Sequence, residues 1–91
     1  MVNLDKEFHD AFQKISLLKT VVAPDNMLKL YAFYKQATCG NNLQSEENKD
    51  LRSGFKFNAW MQLKGMSKDQ AKKEYIKLAS EILIKTNKND E

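Results

Sequence analysis

Residues 30–40 read "LYAFYKQATCG" and hold the residue types best suited to gripping a ligand. Tyr34 and Lys35 follow Tyr31 by three and four positions, so on a helix the three share one side. Lys35 projects between Tyr31 and Leu28, inside an apolar and aromatic arc. Lys56 repeats the anomaly further along, between Ala59 or Leu63 and Trp60. Burying an unpaired ammonium is costly enough that it deprotonates or escapes to water. Either these lysines reach past the apolar surface to its rim, or they border a crevice that admits an anion. Lys19 and Lys72 also fall within apolar arcs, so position alone leaves both readings open.

The combination says more than its parts. A tyrosine face stacks on a flat base with roughly 1–3 kcal/mol. An ammonium offers a phosphate a compact charge, at roughly 1.5–3 kcal/mol per charged hydrogen bond. Two tyrosines and two lysines around one crevice suit a phosphorylated nucleotide.

Other chemistry is poorly supported. His9 is the only histidine, so histidine-based metal sets and Ser/His/Asp arrangements have nothing to build on. It is expected on the surface. Cys39, beside Gly40 at a helix C-terminus, is not activated there and is expected to be small and partly buried. Glu46, Glu47 and Asp50 fall in a polar stretch, and Gly40, Gly54 and Gly65 are too scattered to form a phosphate loop. No catalytic residue is assigned, and no metal or cofactor is expected.

Four helices must position the lysines and tyrosines. Leu4, Phe8, Ala11, Phe12, Ile15 and Leu18 occupy one third of the wheel and predict a helix over 4–20. Pro24 suits the first turn of a second helix over 24–39, with Gly40 as its stop. Its apolar residues cover more than half the circumference, whereas one-sided packing needs only about 100°. This helix therefore touches core on several sides, or touches something else. "NNLQSEENKD" has one apolar residue in ten and predicts a loop over 41–50. A third helix over 51–64 carries Phe55, Ala59 and Leu63 inward with Trp60 on its flank, and Gly65 stops it. Ser67 and Gln70 form a capping box opening a fourth over 67–85. That helix carries Ala71, Tyr75, Leu78, Ala79, Ile82 and Leu83 inward. The spacing predicts an all-α bundle with a long crossover between the second and third helices.

Bulk properties agree. Ninety-one residues are expected to form a single domain over 1–91. Fifteen Lys and Arg against twelve Asp and Glu leave a net +3, dispersed along the chain, which argues against a nucleic-acid partner. A lone cysteine suits a reducing compartment, "MVNLDKEFHD" lacks the apolar core of a secretory signal, and no apolar run approaches the roughly 20 residues that span a bilayer. A cytoplasmic protein is expected, monomeric for want of a dimer seam.

"LYAFYKQATCG", "KFNAW" and "LKGMSKDQAKKEYIKLASEI" together resemble the acyl-CoA-binding protein family over nearly the whole chain. The resemblance implies a four-helix bundle of up-down-down-up order and a non-catalytic carrier of medium- to long-chain fatty acyl-CoA esters. By that pattern Tyr31 and Tyr34 flank the adenine ring. Lys35 and Lys56 bind the ribose 3′-phosphate, helped by the Tyr75 hydroxyl, and Arg52 stands near the same head group. Met27 and Leu28 line the acyl groove. Several positions depart from the pattern. Phe57 replaces a tryptophan, Phe12 a common alanine and Ser16 a frequently basic residue, and the long loop is one residue short. The Phe12 departure is expected to crowd the groove and alter chain-length preference. The alternative reading is a helical interaction module whose Tyr31/Tyr34/Lys35 face receives a partner helix and no acyl-CoA.

Overall fold

The side chain of Asn3 opens the first helix, its Oδ1 accepting from the Lys6 amide at 3.2 Å. The structure, a computed structural model, describes residues 3–18, 22–40 and 51–89, with backbone only at 51–53 and 86–89. Helix α1 spans Leu4–Ser16, α2 Pro24–Cys39, α3 Leu51–Met61 and α4 Lys68–Asn89. Asp5 and Glu7 in the first turn of α1 and Lys14 in its last complement the helix dipole.

The helix ends show why boundaries differ from the periodic pattern. α1 closes at Ser16, short of the expected Thr20. The Ser16 hydroxyl donates back to the Phe12 carbonyl at 2.9 Å, and the Leu18 amide reaches only to Ile15, in a tighter turn. α3 stops at Met61 and not Lys64 for a related reason. Leu63, Lys64 and Met66 each donate to the carbonyl three residues back, and Gly65 adopts φ 96°. α4 runs past the expected residue 85, since no glycine or proline interrupts it. Its cap is half a capping box. Ser67 Oγ accepts from the Gln70 amide at 3.0 Å, but the Gln70 side chain donates forward to Glu74 at 2.8 Å.

Among the described residues α1 packs on α4, α4 on α2, and α2 on α3. Asp5 and Phe8 of α1 meet Lys72 and Tyr75 of α4 in the same order, so these helices are parallel. Tyr34 meets Tyr75 while Gln36 reaches Met66 just before α4, so α2 runs against α4. Tyr31 meets Lys56 and Gln36 meets Trp60, so α3 runs with α2. The order is up-down-down-up, as expected.

Phe8, Ala11, Leu30, Ala37, Ala71, Tyr75, Ala79 and Ile82 form the buried cluster. Its four alanines let the backbones of α1, α2 and α4 approach closely around two aromatic rings. Phe55, expected inward on α3, is 54% exposed. α3 rests on α2 alone among the described helices, so only one edge of its apolar arc is covered. Cys39 is exposed, not partly buried as expected, because it sits on the last turn of α2. The loop expected over 41–50 lies outside the described residues.

Candidate functional site

The chain of contacts α1–α4–α2–α3 leaves a hollow wherever two helices share a neighbour while their own backbones stay apart. α1 and α2 both rest on α4 and do not approach backbone to backbone. Between them lies a groove of about 530 Å³ lined by Phe12, Ile15, Leu18, Met27, Leu30 and Tyr31, with Tyr34 and Tyr75 at its floor. Such a volume is ordinary for a small-molecule site.

Two lysines approach the ring of Tyr31, one of the groove's lining residues. Lys35 Nζ lies 5.9 Å from the Tyr31 ring centroid and Lys56 Nζ 5.4 Å from the same centroid. Lys35 also lies 5.6 Å from the Trp60 ring. A part-buried polar network brings α3 into this register. Trp60 Nε1 donates to the Gly40 carbonyl at 2.9 Å and to Gln36 Oε1 at 3.2 Å. Gln36, fully buried, donates to the Met66 carbonyl at 2.7 Å. The register of α3 therefore determines where Lys56 falls.

The lysines in apolar arcs now separate into two kinds. Lys72 is answered by a carboxylate, Asp5, at 2.5 Å. Lys35 and Lys56 make no ion pair among the described residues, and their ammoniums instead face aromatic rings, contacts worth about 0.5–1 kcal/mol at exposed sites. Two cations therefore lie near one phenol ring, neither paired with a carboxylate among the described residues. Lys19 lies outside the described residues.

Tyr34 sits deeper, its ring 5.8 Å from Phe8, 4.9 Å from Phe12 and 6.4 Å from Tyr75. Tyr75 is 2% exposed. Burial, and secondarily the neighbouring Tyr34, pushes its hydroxyl up to about 12, so it stays a neutral hydrogen-bonding group at physiological pH.

Of the residues the sequence pointed to, Tyr31, Tyr34, Tyr75 and Met27 line one groove, and Lys35 and Lys56 each approach the ring of Tyr31. Leu28, one position and 100° further round α2, lines a different cleft of about 420 Å³, with Ala32, Ala59 and Leu78. That cleft is the second hollow of the same kind, where α3 and α4 share α2. The side chain of Arg52 lies outside the described residues. Ile15, Leu18, Val22 and Leu30 also line the groove, and no periodic signal distinguishes them, because groove wall and core occupy the same apolar arc.

Fold and site together define an all-α bundle that sets two lysines and a tyrosine ring against an apolar groove. The model of the family described as "Acyl CoA binding protein" matches residues 5–79, and the chain belongs to that family. It is 40% identical over 79 residues to Acyl-CoA-binding protein homolog 1 of Caenorhabditis elegans, covering 86% of this chain and 92% of that protein. Identity to the Acyl-CoA-binding protein of Saccharomyces cerevisiae is 37%, covering 86% and 91%. The crystal structure of Oryza sativa Acyl-CoA-Binding Protein 2 superposes with a TM-score of 0.88 at 29% identity, over 93% of this chain and 96% of that one.

Proposed function

We propose that this protein binds and buffers medium- to long-chain fatty acyl-CoA esters without transforming them. The observation that carries this reading is the approach of both Lys35 and Lys56 to the ring of Tyr31, neither paired with a carboxylate among the described residues, where Tyr31 lines an apolar groove. The lysines receive the ribose 3′-phosphate, with the Tyr75 hydroxyl and Arg52 assisting. Tyr31 and Tyr34 take the adenine ring, and Met27 and the groove wall take the acyl chain. The carrier works as a cytoplasmic monomer and uses no cofactor. Its lone cysteine fits a reducing compartment, and no described helix is long and apolar enough to cross a membrane.

Energies divide the labour. Burial contributes about 0.8 kcal/mol per CH₂, so a sixteen-carbon chain offers on the order of 12 kcal/mol if fully enclosed. Association and ordering cost about 4–15 kcal/mol or more. Head-group contacts alone barely offset that cost, so they select coenzyme A while the tail supplies most of the tightness. Calorimetry with free coenzyme A and palmitoyl-coenzyme A tests this division, the ester being expected to bind far more tightly; equal affinities would sink it. If acyl-coenzyme A neither binds nor raises the melting temperature, the face belongs to a partner helix and the carrier reading fails.

A further inference from the structure

We propose that Phe12 is a built-in competitor for the ligand's flat base, occupying the face of Tyr34 until the base displaces it. The proposal rests on the acyl-coenzyme A reading and adds a residue that sets affinity for the nucleotide end. The Phe12 and Tyr34 rings lie 4.9 Å apart and 26° from parallel, the geometry in which a base would stack on a phenol. A base tied to a phosphate held at Lys35 and Lys56 lies near Tyr31, and Tyr34 is the next phenol along that helix. Its stacking face is already taken.

The two rings differ in how firmly they are held. Tyr34 is wedged against Phe8 and Tyr75 as well. Among the described residues the ring of Phe12 stacks with no other, and Phe12 is 37% exposed. Phe12 is therefore the ring that moves. There is space for the exchange, because Phe12 and Tyr34 line two hollows at once. One is the groove of about 530 Å³. The other, of about 560 Å³, is bounded by Phe8, His9, Thr38 and Lys68. A displaced Phe12 side chain has somewhere to go, and its removal frees the face of Tyr34 without opening the buried cluster, of which Phe12 is not a member.

The test compares Phe12→Ala and Phe12→Leu with the parent, using adenosine 3′,5′-bisphosphate, palmitoyl-coenzyme A and palmitoyl-phosphopantetheine, which lacks the base. Melting curves first establish that each variant is folded; Phe12→Leu keeps bulk without a stacking ring. Both variants are expected to bind the two adenine-containing ligands about two- to tenfold more tightly, the equivalent of one ring stack, and palmitoyl-phosphopantetheine unchanged. Unchanged or weakened adenine binding would overturn the proposal, the latter by making Phe12 part of the ligand's own stacking platform. An equal gain for the ligand without a base would also overturn it, assigning Phe12 to the acyl tail. Should the parent bind none of the three, the functional reading itself fails, a result distinct from any difference among variants.

Discussion

Replacing Lys35 with methionine removes its charge while keeping an unbranched stem against Tyr31 and Trp60. In the free protein the ammonium contributes no ion pair among the described residues, only ring contacts at 5.9 and 5.6 Å. Lys35→Met should therefore change stability by no more than about 1 kcal/mol. With the 3′-phosphate seated, the lysine gains a charge-assisted hydrogen bond of about 1.5–3 kcal/mol, so affinity for palmitoyl-coenzyme A should fall roughly 10- to 150-fold. Trp60 is the only tryptophan and lies beside Lys35, so its fluorescence provides a titration signal, cross-checked by calorimetry. The decisive arm uses 3′-dephospho-palmitoyl-coenzyme A, toward which parent and Lys35→Met should bind alike. A variant equally impaired toward both ligands would refute the reasoning, because Lys35 would then act on some other part of the molecule. Lys56→Met should behave the same way, and the double variant should show non-additivity, since both ammoniums address one phosphate.

Trp60→Phe removes the indole donor to the Gly40 carbonyl and Gln36 and should cost about 1–3 kcal/mol in urea unfolding followed by circular dichroism; no measurable loss would mean that the network does not anchor α3. Gly40 has φ 78° and ψ −153°, a region essentially confined to glycine, so Gly40→Ala should cost about 1–3 kcal/mol. A Cβ there would sit 3.5 Å from the Lys68 side chain, an ordinary contact, so the cost is conformational and serine should show it equally. Tyr75 holds its proton to about pH 12 in the folded state, against 10.0 ordinarily. Between those values the unfolded chain binds fewer protons, so stability falls as pH rises from about 10 to 12 and this contribution levels off beyond. The stability of the parent relative to Tyr75→Phe should decline across that window by at most about 1.4 kcal/mol per pH unit; parallel pH profiles would contradict the burial of that hydroxyl.

The sequence by itself determined the four helices, the inward face of α4, and that of α1 except for Phe12, which was expected inward and is exposed. Apolar spacing, Pro24, Gly40 and Ser67 are local signals, and helix formation is largely a local matter. It also determined that Lys35 stood in the wrong company, because an ammonium inside an aromatic arc is legible on a wheel. It could not tell Lys35 and Lys56 from Lys72, since only the fold supplies Asp5 to one and Tyr31 to the others. Nor could it show that Phe12 lies on Tyr34, that Leu28 leaves the groove lined by Met27, or that Phe55 is half exposed. Periodicity names the face a residue occupies but not which neighbour, if any, covers it. The groove is the clearest case. It exists because α1 and α2 both pack on α4 while their own backbones stay apart, meeting instead through the rings of Phe8, Phe12 and Tyr34, a property of three helices that no single helix encodes.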